Sequence, residues 1–158
     1  MRIPRIYLET TIFNYYFEKE RDAHADTVRL FTEIQTGKYQ AFTSVYAMQE
    51  LMKAPENKAQ KMIGLISEFD IKILDASEES DTVAEQYQKN GIIPPKSIVD
   101  AQHIAVASVN DIDMIFSLNF RHIVRKKTVL MTGLINANHG YRPVEIHSPM
   151  EVVDREDT

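Results

Sequence analysis

The sequence contains no cysteine and no tryptophan. Without cysteine the chain can form no disulfide framework, no thiolate metal site and no cysteine nucleophile. It also lacks an apolar run that approaches the roughly 20 residues needed to span a bilayer. No basic region followed by an apolar stretch precedes the first strand-like segment. We therefore expect a soluble cytoplasmic protein.

Basic residues are also fewer than acidic ones. The chain has 18 Lys and Arg against 23 Asp and Glu, a formal net charge of −5. This balance argues against a protein that coats nucleic acid through bulk attraction. It is compatible with an enzyme that acts on nucleic acid, because a carboxylate cluster that binds a divalent cation itself lowers the net charge. The sign reverses locally in the basic stretch between Arg121 and Lys127.

Short apolar segments alternate with helical patterns along the chain. We predict strands over 5–8, 39–43, 71–74, 114–116 and 144–146. We predict helices over 10–17 with Thr10 or Thr11 as cap, 27–36, from a Ser44 cap to Pro55, 56–69, 78–90, from Ser97, and from about Phe120. Such alternation implies right-handed crossovers and a mostly parallel sheet covered on both faces. The length predicts one α/β domain over residues 1–158.

Acidic or amide side chains lie at corresponding places in these elements. Glu9 follows the first strand and Asn119 the fourth, whereas Glu50 lies in the helix after the second strand. Asp100 lies in the first turn of the helix before the fourth strand. Ligands of open α/β sheets bind beyond the carboxyl ends of the strands, and Mg²⁺ and Mn²⁺ prefer carboxylate and amide oxygens. The pattern favours a metal site, whose natural chemistry is phosphodiester hydrolysis.

Each of these residues also fits an ordinary structural role. Asp100 lies three residues after Ser97, the spacing of a capping box. Glu50 lies opposite an apolar stripe of its helix, where a solvated glutamate is the commoner case. Asn119 fits a turn. Spacing alone therefore suggests a site without establishing one.

Three further groups of residues have two interpretations. His103, one turn after Asp100, offers a second metal ligand or, more commonly, a hydrogen bond inside the fold. Tyr15, Tyr16 and Phe17 either pack in the core or stack on a base. The basic stretch either contacts substrate phosphate or forms a solvated helix face. Its residues are Arg121, His122, Arg125, Lys126 and Lys127.

Four segments carry a family resemblance: IYLETTIFNYYF (6–17), FTSVYAMQELMKA (42–54), VDAQHIAVA (99–107) and DMIFSLNFRHIV (113–124). They resemble motifs of the PIN-domain family, which includes the VapC-like toxin ribonucleases, and the likeness extends to the tail GYRPVEIHSPMEVV. The resemblance implies a three-layer α/β/α fold with a mostly parallel central sheet. It also implies an acid cluster that binds Mg²⁺ or Mn²⁺ and single-strand endonuclease activity, usually on RNA.

By position, the resemblance makes Glu9, Glu50 and Asp100 the first three acids of the cluster. The fourth position falls on Asn119, with Ser117 as the small hydroxyl before it. The family typically has Asp in place of Glu9, and one extra methylene moves a carboxylate by more than about 1 Å, although Mg²⁺ tolerates little error in ligand distance. Asn119 replaces a typical Asp and carries no charge. Three acids remain, enough for one cation, and SLNFRHI resembles a PIN branch in which Asn is usual here.

The leading hypothesis is a metal-dependent endoribonuclease, with the toxin of a toxin–antitoxin pair as one form of it. Glu9, Glu50 and Asp100 would hold Mg²⁺ or Mn²⁺, while Asn119 and Ser117 would complete the shell or position water. The RNA backbone would be bound by Arg121, His122, Arg125 and Lys126. Water would attack phosphorus in line and leave a 5′-phosphate and a 3′-hydroxyl.

The resemblance also bears on partners and on rival functions. For a toxin it implies a small antitoxin that covers the site, and it makes a homodimer a common assembly. The alternative function is a catalytically weak or inactive PIN-like module that binds RNA or a protein. An aspartyl-phosphate phosphatase is disfavoured, because Glu9-Thr10-Thr11 supplies neither the Asp nucleophile nor the second Asp that such enzymes need.

Overall fold

Five strands form one sheet in the computed structural model, which describes residues 2–154. They are β1 (Arg5–Leu8), β2 (Gln40–Ser44), β3 (Lys72–Leu74), β4 (Met114–Phe116) and β5 (Glu145–His147). The predicted strands are confirmed, with ends that shift by at most one residue. All four pairings are parallel, so the prediction of a mostly parallel sheet is confirmed.

Seven α-helices connect or follow the strands within residues 2–154. They are α1 (Thr10–Tyr15), α2 (His24–Gln35), α3 (Val45–Met52), α4 (Glu56–Glu68), α5 (Glu78–Lys89), α6 (Ile98–Val109) and α7 (Lys126–Asn138). The predicted Ser44 cap is confirmed, because the Ser44 hydroxyl accepts the Ala47 N–H. Across residues 2–154, every helix is too short or too polar to cross a membrane.

The helix predicted from about Phe120 begins later, at Lys126. The backbone carbonyl of Asn119 accepts the N–H groups of Ile123 and Val124, at 3.1 and 2.8 Å. These bonds close a turn in place of the first helical turn, and Arg125 is extended at φ −155°. The basic stretch is therefore mostly a turn that leads into α7.

Two apolar layers cover the sheet, because side chains alternate along each strand. Ile6 and Leu8 of β1 face one layer and Tyr7 faces the other. The first layer contains Phe13 of α1, Leu30 of α2 and Leu65 of α4. The second contains Tyr87 of α5, Ile104 of α6 and Ile135 of α7. This arrangement confirms the predicted three-layer α/β/α fold.

The aromatic segment at the end of α1, residues 15–17, belongs to the first layer. The ring of Tyr16 lies edge-on against Phe31 and Phe69, with centroids 4.8 and 6.1 Å apart. Tyr15 and Phe17 are half-buried beside them. Of the two roles considered for this segment, packing is the one that the structure shows.

The strand order β3-β2-β1-β4-β5 places the reversal of chain direction across the sheet between β1 and β4. A helix that follows a strand of a parallel sheet begins at the carboxyl edge, which places the first turns of α3 and α7 there. The first turn of α6 lies at the same edge, because Asp100 accepts a hydrogen bond from Asn119, which follows β4. This is the edge where an open α/β sheet binds ligands.

Candidate metal centre

Glu9 directly follows β1 and is 3% exposed. Its Oε1 accepts hydrogen bonds from Thr11 Oγ1 at 2.5 Å and from Ser117 Oγ at 2.6 Å. Thr11 Oγ1 in turn accepts the Leu118 N–H at 2.8 Å, which ties the first turn of α1 to the end of β4. The prediction that Thr10 or Thr11 caps α1 is wrong, because the N-cap position is Glu9 and both hydroxyls bind carboxylates.

Glu50 lies in the second turn of α3 and faces α6. Its Oε1 accepts hydrogen bonds from His103 Nε2 at 2.7 Å and from Thr10 Oγ1. The side chain keeps 32% of its surface exposed. Interpreting Glu50 as a solvated glutamate is therefore wrong, because packing of α3 against α6 supplies partners that the helix pattern does not contain.

His103 is fully buried. Its Nδ1 lies 2.5 Å from the Tyr7 hydroxyl, and that hydroxyl lies 2.7 Å from Ser44 Oγ. The interpretation of His103 as an internal hydrogen-bonding residue is confirmed. Both ring nitrogens are engaged, although Glu9, Glu50 and His103 each have one possible ligand atom within 4.8 Å of the other two.

Asp100 lies in the first turn of α6 without the predicted capping box. A 3₁₀ turn over Pro95–Ser97 precedes the helix, and within the described chain the Ser97 side chain makes no capping bond. Asp100 Oδ1 instead accepts a hydrogen bond from Asn119 Nδ2 at 3.2 Å. Asn119 Oδ1 accepts the His122 N–H at 3.0 Å. Asn119 thus holds Asp100 in place, and its role as a metal ligand stays a prediction.

The three acids share one arrangement. Each is held through a single oxygen: Glu9 and Glu50 through Oε1, and Asp100 through Oδ1. Within residues 2–154, no protein donor is bonded to the second oxygen of any of them. Three carboxylates with one free oxygen each are a donor set that fits Mg²⁺ or Mn²⁺.

Burial and mutual charge shape the ionisation of the cluster. Burial raises the pKa of Glu9 and of Asp100, because the ionised carboxylates are removed from water. Burial acts the same way on Glu50, but the hydrogen bond and charge of His103 outweigh it and lower the pKa of Glu50. Burial alone would lower the pKa of His103, which the hydrogen bond to Glu50 and the neighbouring acids raise. A divalent cation would favour the ionised form of all three acids.

The basic stretch adjoins the cluster through Asn119. Arg121 and Arg125 lie exposed in the turn, and Lys126 and Lys127 lie exposed in the first turn of α7. His122 is half-buried, and its charge lowers the pKa of Asp100 against the effect of burial. The structure brings these residues to the predicted edge, and their contact with phosphate stays a prediction.

Four residues around the acids were not predicted as site residues. Thr10 and Thr11 donate hydrogen bonds to Glu50 and Glu9. Tyr7 and Ser44 lie behind His103. Ser44 was predicted only as a cap, and Thr10 and Thr11 only as capping candidates. One sequence signal points to Tyr7, a hydroxyl-bearing residue inside a short apolar strand. Its partners follow from the packing of helices on the sheet, which periodicity does not reveal.

A model of the PIN domain family matches residues 6–127. The fold is similar to that of VapBC2 from Rickettsia felis, whose crystal structure holds a DNA fragment from their promoter. That match has 13% identity and a TM-score of 0.55, and covers 91% of this chain and 98% of the other. The sarcin–ricin loop cleaving toxin VapC20 of Mycobacterium tuberculosis matches with 14% identity, a TM-score of 0.54, and coverage of 88% and 98%. No curated protein gives a significant match to the sequence.

Proposed function

The chain belongs to the PIN domain family, and we propose that it is a metal-dependent endoribonuclease that hydrolyses RNA phosphodiester bonds. PIN domains are typically nucleases, and they generally use divalent metals. The observation that carries the proposal is the arrangement of Glu9, Glu50 and Asp100. Glu9 and Glu50 each offer a ligand atom within 4.8 Å of the other, and the charge of Glu50 acts on Asp100. Within the described residues, each of the three acids keeps one oxygen that accepts no hydrogen bond from a protein donor.

In this proposal Glu9, Glu50 and Asp100 hold one Mg²⁺ or Mn²⁺. When bound, such a cation supplies Lewis acidity that activates water and neutralises charge on the phosphate. Ser117 orients Glu9 through its hydroxyl, and Asn119 orients Asp100 through its amide. Three acids suffice for one cation, so the uncharged Asn119 is compatible with activity.

The substrate backbone binds along the exposed basic turn and the start of α7. Arg121, Arg125 and Lys126 provide cationic donors, and His122 lies near enough to Asp100 for its charge to act on that carboxylate. The N-terminus of α7 adds backbone N–H groups and a favourable dipole for phosphate. Substrate charge is thus attracted to the edge where the acids hold the cation.

We further propose that residues 1–158 form a single domain, that it pairs as a toxin with a small antitoxin, and that it assembles as a homodimer. The similarity to VapBC and VapC structures supports the antitoxin. The antitoxin would cover the acid cluster and keep RNA away from it. Co-purification of the chain with the product of an adjacent small gene tests this pairing.

The decisive experiment is cleavage of an end-labelled pool of single-stranded and structured RNAs with Mn²⁺, with Mg²⁺ and with chelator. Asp100→Asn protein serves as the matched control, since the side chain keeps its size and loses its charge. Metal-dependent cuts that the variant does not make support the proposal. A folded protein that cuts no RNA with either metal would instead be the non-catalytic binding module, with Glu9 and Asn119 as the departures responsible.

A further inference from the structure

A row of buried polar groups runs behind the acid cluster and ends at Glu50. It begins at Ser44, which ends β2 and caps α3, and passes through the Tyr7 hydroxyl of β1 to His103 of α6. The steps are 2.7 Å from Ser44 Oγ to Tyr7 Oη, 2.5 Å to His103 Nδ1, and 2.7 Å from His103 Nε2 to Glu50 Oε1. Ser44, Tyr7 and His103 are all fully buried.

The direction of the last hydrogen bond is fixed by its acceptor. An ionised carboxylate only accepts hydrogen bonds, so Nε2 of His103 carries a proton and donates it to Glu50. The hydroxyls of Tyr7 and Ser44 can each donate or accept, so the contact at Nδ1 is satisfied with a neutral or a charged ring. The orientation of the imidazole therefore does not depend on its charge.

A second buried polar group shows what sets this row apart. Tyr87 of α5 lies 2.5 Å from Asn136 Oδ1 and 3.2 Å from Ser108 Oγ, and these three residues are also buried. That group joins α5, α6 and α7 and ends on no acid. The row through Tyr7 ends on a carboxylate that keeps one oxygen free at the proposed metal site.

Glu50 needs such support more than the other two acids. Its side chain is 32% exposed and lies on a helix surface, where a glutamate samples several rotamers at an entropic cost to any ligand that orders it. His103 and Thr10 both bind Oε1, which leaves Oε2 as the oxygen available to a cation. Burial of His103 and Tyr7 keeps water from competing for that hydrogen bond.

We propose that His103 is a positioning residue for the metal site, held in place by Tyr7 and Ser44, and that it orders the Glu50 carboxylate for cation binding. The inference rests on the proposed metal site and adds residues to it. His103 acts through Glu50 and is not itself a ligand, because both of its ring nitrogens have protein partners.

The test is the affinity for Mn²⁺, measured by the electron paramagnetic resonance signal of the free ion, in wild type and four variants. His103→Leu removes the donor to Glu50, and His103→Gln keeps an amide N–H where Nε2 lies. Tyr7→Phe removes the hydroxyl behind the ring. Tyr87→Phe is the matched control, since it removes a buried tyrosine hydroxyl from the group that ends on no acid.

We expect His103→Leu to bind Mn²⁺ roughly 10- to 100-fold more weakly, the usual effect of losing a group that orients a metal ligand. We expect His103→Gln to recover most of that loss. Tyr7→Phe should bind severalfold more weakly than wild type, whereas Tyr87→Phe should lose thermal stability alone. If His103→Leu does not fold, the contrast between Tyr7→Phe and Tyr87→Phe decides the question.

Three results overturn the inference. Wild-type affinity in folded His103→Leu would show that Glu50 needs no positioning, and so would equal affinities in Tyr7→Phe and Tyr87→Phe. Loss of affinity in both His103→Leu and His103→Gln would instead make the imidazole a direct ligand. Wild-type protein that binds no Mn²⁺ would be a different failure, that of the proposed function itself.

Discussion

The hydroxyl of Ser117 lies 2.6 Å from Oε1 of Glu9, although the two residues are 108 positions apart in the sequence. The same hydroxyl accepts the Asn119 N–H at 2.9 Å. One small side chain thus links the ends of β1 and β4 at the place where the strand order reverses. Glycine or alanine would fit this position without forming either bond.

Replacing Ser117 by alanine should therefore weaken metal binding. We expect Ser117→Ala to bind Mn²⁺ roughly 10- to 100-fold more weakly, because Glu9 loses one of its two donors. The free energy of unfolding should fall by about 1–3 kcal/mol, since a buried hydrogen bond is lost. Mn²⁺ titration and urea unfolding measure the two effects. Ser108→Ala, at a buried serine far along α6, should lose stability without losing affinity; equal affinities in both variants would contradict the role of Ser117.

Shortening Glu9 should lower activity. In Glu9→Asp the carboxylate withdraws by about 1 Å from the hydroxyls of Thr11 and Ser117, which now hold it. A misplacement of that size costs up to about 100-fold in rate, so we expect RNA cleavage to fall roughly 10- to 100-fold. Glu68→Asp, at an exposed glutamate near the end of α4, is the control. Higher activity in Glu9→Asp than in wild type would instead mean that Glu9 weakens the wild-type site, and it would favour the binding module.

Restoring a fourth acid should make stability depend more strongly on metal. Asn119→Asp replaces the amide that donates to Asp100 at 3.2 Å with a carboxylate that repels it. We expect a lower melting temperature in chelator and a larger increase on adding Mn²⁺. A tenfold gain in affinity adds about 1.4 kcal/mol at saturating metal. Thermal scans with and without Mn²⁺ measure this, and an unchanged melting temperature in chelator would argue against the contact with Asp100.

Neutralising the basic turn should weaken RNA binding in a salt-dependent way. For Arg125→Ala and Lys126→Ala we expect KM to rise severalfold. The slope of log affinity against log salt should flatten by about 0.7 for each lost phosphate contact to a single strand. Lys89→Ala is the control, because Lys89 ends α5 two residues after Tyr87, whose hydroxyl contacts Ser108 and Asn136 near the ends of α6 and α7. Identical slopes in all three variants would mean that the basic stretch does not contact the substrate.

His147 should make stability depend on pH. Burial would lower the pKa of His147, but hydrogen bonds and charge from Glu145 and Glu151 outweigh it and raise the pKa above 6.5. Burial would raise the pKa of Glu151, but the Ser148 N–H and then the contact with His147 outweigh it and lower the pKa below 4.5. Arg125 and Lys126 line the same surface groove as His147.

The sign follows from these two shifts. The contribution of His147 to the free energy of unfolding is full below pH 6.5 and is lost as pH rises through the pKa of the folded protein. The contribution of Glu151 is lost as pH falls below 4.5. His147→Gln should therefore be less stable than wild type mainly between these values, by less than about 1 kcal/mol for a partly exposed pair. Urea unfolding at pH 5.5 and pH 8.5 compares the two proteins. A stability gap that widens at pH 8.5 would contradict the assignment.

The location of several candidate site residues could be predicted, because the position of a residue within its strand or helix is enough to place it. Apolar runs identify the strands, and parallel strands bring their carboxyl ends to one edge, which located Glu9 and Asn119. The helical period placed His103 near Asp100. The partner of His103 could not be predicted, because the bond to Glu50 depends on how α3 packs against α6.

The wrong cap predictions have two physical causes. Ser97 and Asp100 have capping-box spacing, but the preceding 3₁₀ turn gives Ser97 a backbone that forms no cap. Thr10 and Thr11 are good capping residues, but their hydroxyls donate to carboxylates. The 3₁₀ turn and the bond from Thr11 to Glu9 are local, whereas the bond from Thr10 to Glu50 joins parts of the chain 40 positions apart.

The order of the strands also constrains when the acid cluster can exist. Strand β4, one of the two neighbours of β1 in the sheet, is synthesised long after it, because Ser117 lies 108 positions beyond Glu9. Until then Glu9 has no hydroxyl from Ser117, and Asp100 has no amide from Asn119. A nascent chain that ends between Asp100 and Ser117 therefore carries all three acids without the contacts that position Glu9 and Asp100.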